Sequence, residues 1–596
     1  MGSEMSINQN RIIRSKNRVV EVTAAPGSGK TYTLIRRAVH LLATVPAEQI
    51  LVLSFSNASV REIRQRMRAM STDSTTGAEI SNVTVQTAHA FAKGLIKQKS
   101  VLSEKRAIKL LARSIKAVQK DCKKGVLWPD VSTSQMQRRL TQLEELLEQQ
   151  NIRLVLNFMS VVQASRKKVS ESVTGKFDKL AGYVKVLCAI RNKYSAIKKA
   201  KGDIDYGDML VQAVKAIEGG ASIPFTHILV DEYQDCSAAQ THLLTLLANL
   251  DGRSLMVFGD SCQGIYGFAG ANYTALSGVL DDVRQLSLPV SRRLTSQTAA
   301  LASAVAQLED DQAIQTTSAG KMPVLVRDDT LDSQTKHIVR DIQKLIAAGT
   351  PTEQIAVLAR TKALLHPVEQ SLLALDVQTD RMGHTRHRKH VLAVLRLVRI
   401  VERLAVSKSK VKPERLHKAL PSVTADDARW KKETLNLAKV GRMPSLESRY
   451  KGCAAVYLRL NGGVRKDADL RADVNRWLPK CRDYKDARSM RAAIKAMMAE
   501  EVVTGTIHAA KGREWDHVLI VGATDGLLPI HFATDDIAIS QERNMLYVAI
   551  TRARKNVRLY HAPTVNARSG KLFESASRFL DEPAVRKTLK VEKLTG

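Results

Sequence analysis

The sequence predicts an α/β protein built from two parallel-sheet blocks, each interrupted by a mostly helical insertion. Three observations lead there. Short β-branched runs (QILVLSFSN, HILVDEYQD, SLMVFGDS, HVLIVGATD) alternate with stretches whose apolar residues recur at helical spacing, the pattern of strands joined by crossover helices. AAPGSGKT, residues 24–31, lies between strand-like RVVEVTA and helical TLIRRAVHLLA, the setting that a phosphate-binding loop requires. The charge is also unevenly spread. The 596 residues carry a formal net charge of +33, and residues 101–200 hold 21 Lys and Arg against 8 Asp and Glu. Residues 381–500 hold 30 against 12, so the two stretches contribute +13 and +18 and leave the rest nearly neutral. Both stretches read as helical, in EKRAIKLLARSIKAV, LTQLEELLEQQNIRLVLNFM and HVLAVLRLVRIVERLAV.

Composition narrows the class. With 44% hydrophobic and 25% charged residues, the chain has ample core, which excludes disorder as its overall state. No uninterrupted apolar run is long enough to span a bilayer. The basic N-terminal stretch lacks an apolar core, so no secretory signal is expected, and the expected location is cytoplasmic, on the nucleoid in a bacterium. The six cysteines are scattered, with no CxxC pair, and read as free thiols without zinc. A surplus of this size points to a polyanionic partner, most often nucleic acid.

In the phosphate loop, Gly27 and Gly29 let the backbone between Ala24, Ala25, Pro26, Ser28 and Lys30 turn its N–H groups inward around phosphate oxygens. Lys30 would neutralise the β- and γ-phosphates, and Thr31 would ligate Mg²⁺. The helix N-terminus that follows favours anions. In HILVDEYQD, four apolar residues end in Asp231-Glu232. Asp231 would hold Mg²⁺ and Glu232 would be the general base for the attacking water. A solvated acidic turn is the bland reading of that pair, and the upstream phosphate loop disfavours it.

These motifs, with others in order, resemble the superfamily 1A helicases of the UvrD/Rep/PcrA type. SFSNASVREIRQRM, TAHAF, DIDYGDML, VDEYQDCSAAQ, GDSCQGIYGFAGA, GTIHAAKGREWDHV, QERNMLYVAITRARK and ASRFL run from Ser54 to Leu580 and cover nearly the whole chain. The resemblance implies two RecA-like P-loop NTPase domains. Residues 1–98 and 202–284 would form the first, around a helical insertion at 99–201. Residues 285–380 and 500–596 would form the second, around a reduced basic insertion at 381–499.

The resemblance also implies roles. Gln9 would read adenine, or else be an exposed tail glutamine. Gln234 and Gln263 would sense the γ-phosphate, and Glu514 would accept from the ribose hydroxyl. Arg552 would be an arginine finger supplied from the second block. Arg293 would also reach the γ-phosphate, in a motif degenerate enough that a plain surface arginine is the rival. Tyr32 and Arg292 stand where the family has Arg and Tyr, so the adenine sandwich is expected with its sides exchanged.

For single-stranded DNA, Tyr266 and Phe268 would stack on bases, with Phe55, Asn57 and His89 beside them. Phe55 reads equally well as core. His508 and Lys511 would face the sugar–phosphate backbone. Ala269 replaces the arginine usual in that motif, which leaves one charged group fewer near the strand or nucleotide.

The resulting expectation is an ATP-dependent DNA helicase and single-strand translocase of 3′→5′ polarity. It would use ATP and Mg²⁺ on single strands and on single-strand/duplex junctions, as a monomer or weak oligomer with no membrane role. The alternative is a DNA-stimulated ATPase subunit working with a separate nuclease. About forty residues follow Lys555, so a fused nuclease domain is not expected. A P-loop kinase of small molecules is disfavoured by the later motifs and by the charge.

Overall fold

Apolar runs of four to seven residues bounded by polar turns become strands buried on both faces. A computed structural model of the chain describes residues 6–70, 80–96, 100–165, 168–172, 175–267, 271, 273–375, 377–382, 394–402, 432–433, 436–437, 439–440, 443–460, 478–498, 501–565, 570 and 572–594. Strands β1 (Val19–Ala24), β2 (Ile50–Ser54), β3 (Thr84–Thr87), β4 (His227–Val230), β5 (Ser254–Gly259) and β6 (Val283–Leu288) form one sheet. Its order is β3-β2-β4-β5-β1-β6, with every neighbouring pair parallel. Alternation along the strands divides the core. Val20, Val22, Val52 and Phe258 pack with Leu34, Ile35 and Ile63 on one face. Leu51, Leu53, Leu255 and Val257 pack with Met209, Leu210 and Leu243 on the other. Because all six strands run the same way, the loops after Ala24, Ser54, Thr87, Val230, Gly259 and Leu288 open at one edge of the sheet, where α/β folds bind their ligands.

A second sheet holds β7 (Val324–Asp328), β8 (Ile355–Ala359), β9 (Thr379–Arg381), β10 (Val502–Thr506), β11 (Trp515–Val521) and β12 (Ala553–His561). After a short hairpin, β13 (Thr564–Val565) and β14 (Leu572–Phe573), the chain adds β15 (Lys590–Leu594) at its edge. The order is β15-β7-β12-β11-β8-β10-β9. β8 pairs parallel with β10 and β11, β10 with β9, and β12 with β7. The fold class is thus two parallel-sheet α/β domains.

The chain divides into two compact units. The first is Met1–Pro323 with Thr524–Asn556 and Ser575–Lys590, and the second is Val324–Ala523 with Val557–Glu574 and Val591–Gly596. This grouping differs from the division expected between residues 284 and 285, for a physical reason. That point falls inside β6, which pairs with β1 along Val19–Ala24. The segment after β6 then hydrogen-bonds to the phosphate loop: Ser291 Oγ donates to the Pro26 carbonyl at 2.6 Å and the Arg292 N–H to the Gly27 carbonyl at 3.0 Å.

The first insertion contains helices Glu104–Lys123, Thr133–Glu145, Gln149–Ser165 and Val184–Lys201 around its own core, which includes Leu111, Ile115, Phe158, Leu187 and Ile190. Its two ends meet at a neck, where the Leu102 N–H donates to the Ile204 carbonyl at 2.7 Å and the Ile204 N–H to the Ser100 carbonyl at 3.1 Å. Beside the neck, buried Lys198 is held by Asp205 at 2.6 Å and by Asp208. Two carboxylates offset the desolvation of one ammonium there.

The second insertion also leaves and returns through neighbouring backbone, strands β9 and β10. Glu369 accepts from Arg381 at 2.7 Å and from Thr504 at 2.6 Å across that pair. Its described residues share a core of Val394, Leu397, Tyr450, Tyr457 and Met490. Residues 403–431 and 461–477, which carry many of its basic side chains, lie outside the described residues.

Candidate functional site

The loop after β1 turns at Gly27 and Gly29, whose φ angles are +75° and +84°. Both are left-handed, where a side chain is strained. At Gly27 a Cβ would also stand 2.4 Å from the Arg293 Cβ. Ala24 and Pro26 are buried, and Ala25 is half-buried with its N–H bonded to the Leu288 carbonyl at 2.9 Å. Ser28 is buried too, its N–H on the Ala25 carbonyl at 3.1 Å. The helix Lys30–Leu41 follows at once with Gly29 as its N-cap.

Lys30 Nζ lies 2.9 Å from Glu232 Oε1 and 4.0 Å from Asp231 Oδ1. Burial opposes the lysine charge, but Glu232 and Asp231 outweigh it and hold its pKa above the ordinary value. Thr31 Oγ1 donates to Asp231 Oδ2 at 3.0 Å. Burial is the largest influence on the Asp231 carboxyl and, despite Lys30, pushes it up to about 6. Glu232 sits at φ +57°, an uncommon conformation for a non-glycine residue and one that clusters at functional sites.

Gln234 extends the network. Its Nε2 donates to Glu232 Oε2, and its Oε1 accepts from the Asp260 N–H at 3.1 Å. Gln263 Nε2 donates to Asp260 Oδ2 at 2.7 Å, and its Oε1 accepts from Arg552 Nη2 at 3.3 Å. Tyr547 OH also donates to Asp260, at 3.2 Å. Arg552 is 1% exposed. Its Nε donates to the Val548 carbonyl at 2.9 Å and its Nη2 to Thr551 Oγ1 at 3.0 Å. Burial first, and then the neighbouring Arg293, push its pKa down to about 9. Arg293 Nη1 donates to the Thr551 carbonyl at 3.2 Å. Arg552 follows the helix Asp536–Ile550 and belongs to the same compact unit as the phosphate loop, not to the unit with the seven-stranded sheet.

Gln9 is neither exposed nor in a loose tail. It is 1% exposed and is the N3 residue of a capping box with Ser6. Its Nε2 donates to Thr33 Oγ1 at 3.3 Å and its Oε1 accepts from Arg292 Nη2 at 3.1 Å. The Ser-x-x-Gln spacing of that capping box was readable in the sequence. Tyr32, half-buried in the first turn of its helix, and exposed Arg292 flank the phosphate loop from opposite sides in the chain.

A second group of predicted residues gathers along the same sheet edge. Phe55 is half-buried, not core, and stacks on Tyr266 with ring centroids 5.6 Å apart and an 18° interplanar angle. Asn57 is exposed and opens the helix Asn57–Met70. His89 meets Tyr206 edge-on at 5.2 Å, and burial pushes its pKa down. Phe268 and Ala269 lie outside the described residues. Tyr206, 47% exposed, was missed as a site residue, although it is the aromatic of the acidic segment DIDYGDML.

Three predicted residues sit in the second unit. His508 and Lys511 are half-buried and Glu514 is exposed. Burial, then Arg360 and Lys511, push the His508 pKa down to about 4. The first insertion adds a feature that the charge count only hinted at. Arg106, Lys109, Arg113, Lys116, Lys120 and Lys123 are all exposed on the Glu104–Lys123 helix. At about 100° and 1.5 Å per residue they fall within an arc of about 100° and a length of about 25 Å.

Among the described residues no helix is long and apolar enough to cross a membrane, and the six cysteines are free. The family model for the UvrD/REP helicase N-terminal domain matches residues 5–284, and that for the UvrD-like helicase C-terminal domain matches residues 486–562. The chain is 26% identical to the ATP-dependent DNA helicase UvrD2 of Mycobacterium tuberculosis, over 94% of this chain and 79% of that protein. It is 23% identical to the ATP-dependent DNA helicase PcrA of Leuconostoc citreum, over 94% and 82%. It is also 23% identical to the ATP-dependent DNA helicase UvrD1 of Mycobacterium leprae, over 94% and 83%.

Proposed function

We propose, for a chain that belongs to the UvrD/Rep/PcrA type of superfamily 1 helicases, that it is an ATP-dependent DNA helicase and single-stranded DNA translocase of 3′→5′ polarity. One observation carries the reading: Lys30, Thr31, Asp231, Glu232, Gln234, Asp260, Gln263 and Arg552 form one connected set of ion pairs and hydrogen bonds beside the phosphate loop. Lys30 and the loop N–H groups hold the β- and γ-phosphates, and Glu232 accepts the proton of the attacking water. Gln234 and Gln263 report on the γ-phosphate. Arg293 and Arg552 stabilise the charge that develops as it leaves. Two crowded guanidiniums are a site built for an anion.

A Mg²⁺ ion fits the donor set. A hydroxyl and a buried carboxylate, Thr31 and Asp231, are hard oxygen ligands, and a carboxyl that burial pushes up to about 6 favours a cation beside it. When bound, the ion neutralises charge on the phosphate oxygens. On the other group, Phe55, Tyr266, His89 and Tyr206 offer rings to unpaired bases, contacts that are blind to sequence.

The test is strand separation by the purified protein on duplexes with a 3′ or a 5′ single-stranded tail. Unwinding from the 3′ tail only is expected. Unwinding from the 5′ tail only overturns the polarity. ATP turnover without strand separation moves the chain to the alternative, an ATPase subunit acting beside a separate nuclease.

Three further outcomes are expected. Tyr32→Ala removes one face of the adenine sandwich, so steady-state kinetics will show a raised KM for ATP with DNA affinity unchanged; an unchanged KM removes Tyr32 from the base site. Changing Arg106, Arg113, Lys116 and Lys120 to Gln removes four cations from the exposed stripe. If they face duplex phosphates, the slope of log K against log salt will flatten by about 0.9 for each phosphate that is no longer neutralised; an unchanged slope leaves the stripe as solvated surface.

The third concerns pH. In the unfolded chain His508 takes up its proton near 6.5, but the folded unit resists protonation until about 4. The stability this histidine contributes is therefore fully present above pH 6.5 and falls as pH drops toward 4. Melting curves of His508→Asn against wild type will show a shallower loss of Tm across that window.

A further inference from the structure

β1 reads VVEVTA, and its one carboxylate, Glu21, is out of keeping with a strand buried between two neighbours in a parallel sheet. Glu21 is 5% exposed. Both of its oxygens are used, and by the same short stretch of chain: Oε1 accepts from Tyr273 OH at 2.8 Å and Oε2 from the Leu276 N–H at 3.0 Å. These partners stand more than two hundred residues away in sequence, just past the segment that carries Tyr266. The near end of that segment is fixed as well. The Ala271 N–H donates to the Tyr266 carbonyl at 3.2 Å, Ala271 forms an antiparallel bridge to Ser237, and Tyr266 stacks on Phe55.

Tyr273 has a second contact. Its ring meets Tyr233 edge-on, with centroids 5.9 Å apart, and Tyr233 follows Glu232 directly. Tyr233 OH in turn donates to the Thr274 carbonyl at 2.8 Å. Among the described residues of this stretch, Ala271 thus meets the aromatic pair through the Tyr266 carbonyl, and Tyr273, Thr274 and Leu276 meet the strand that ends in the phosphate loop and the neighbour of Glu232. A packed interior has discrete arrangements and transmits displacement through such contacts.

We propose that Tyr273 and Glu21 are positioning residues that couple an occupied single strand at Tyr266 to ATP hydrolysis at Glu232. The inference rests on the nucleotide and single-strand sites proposed above. Neither residue touches nucleotide or DNA. Tyr273 acts by holding the end of the Tyr266 segment against β1 and Tyr233, and Glu21 by anchoring it.

The experiment measures ATP turnover with and without an oligothymidylate for wild type, Tyr273→Phe, Glu21→Gln and the double variant, with melting curves and oligonucleotide affinities alongside. Tyr273→Phe keeps the ring and loses only the hydroxyl. The expected result is an unchanged basal kcat, an oligonucleotide Kd within about twofold, and a stimulation factor reduced at least fivefold in each single variant. The double variant should lose no more than either single one, because residues acting through one linkage are not additive. Full stimulation in Tyr273→Phe overturns the proposal, as does a loss of basal and stimulated activity in equal proportion. If wild type itself is not stimulated by the oligonucleotide, the single-strand reading fails and the relay with it. If wild type is stimulated and the variants match it, only the relay fails.

Discussion

Glu232→Gln will bind ATP and fail to turn it over, with kcat lowered about 10²–10⁴-fold, the share a positioned general base contributes. The substitution keeps the shape of the side chain and one of its two acceptor oxygens. A glutamine oxygen can still accept from Lys30, 2.9 Å away in the native site, while its amide nitrogen replaces the oxygen that accepts from Gln234. The lost property is basicity. The backbone at φ +57° aims the side chain independently of its charge, so the fold and the nucleotide affinity are expected to hold. Single-turnover hydrolysis and fluorescent-nucleotide binding separate the two quantities. Turnover near the wild-type rate would remove Glu232 from its role, and loss of both binding and fold would leave the residue structural.

Arg552→Lys will lower kcat by about 10³–10⁵-fold, the range for an arginine finger. Arg552 is 1% exposed, and its fork bonds Val548, Thr551 and Gln263 at once. A lysine has one terminal nitrogen and cannot reproduce that planar arrangement. Burial and Arg293 already push the Arg552 pKa down to about 9, and a lysine ammonium in the same place would be driven toward its neutral form. A γ-phosphate would relieve this crowding of positive charge, and the interaction would strengthen as negative charge builds in the transition state. The readout is kcat with ATP affinity held in view. A change confined to KM would make Arg552 a ground-state binder.

Much of this was legible in the sequence because it is local. The four β-branched runs became β2, β4, β5 and β11, since a short apolar stretch between polar turns has few other ways to bury itself. The phosphate loop and Asp231-Glu232 were legible because their chemistry needs contiguous residues. The β6 boundary was not, since VRQLSL is half polar and shows its membership only through its register with β1. Gln9 was ambiguous because its capping box and its reach to Thr33 and Arg292 are separate facts. Glu21 with Tyr273, and His89 with Tyr206, left no local signal, since each pair is joined only by tertiary packing. The basic stripe was half legible: the charge count located it, and the helical arc gave it direction.

The position of β1 in its sheet has a consequence during synthesis. It precedes every other described strand, yet its neighbours, β5 and β6, begin at Ser254 and Val283. At about 5–20 residues per second, the ribosome needs roughly 13–50 s to supply them. Over that interval VVEVTA is a β-prone apolar segment without a sheet to join, the kind of stretch that a single charge protects from self-association. Glu21, which ends buried beneath Tyr273 and Leu276, is that charge. Its hydrogen-bonding partners, Tyr273 and Leu276, come only with the later part of the chain.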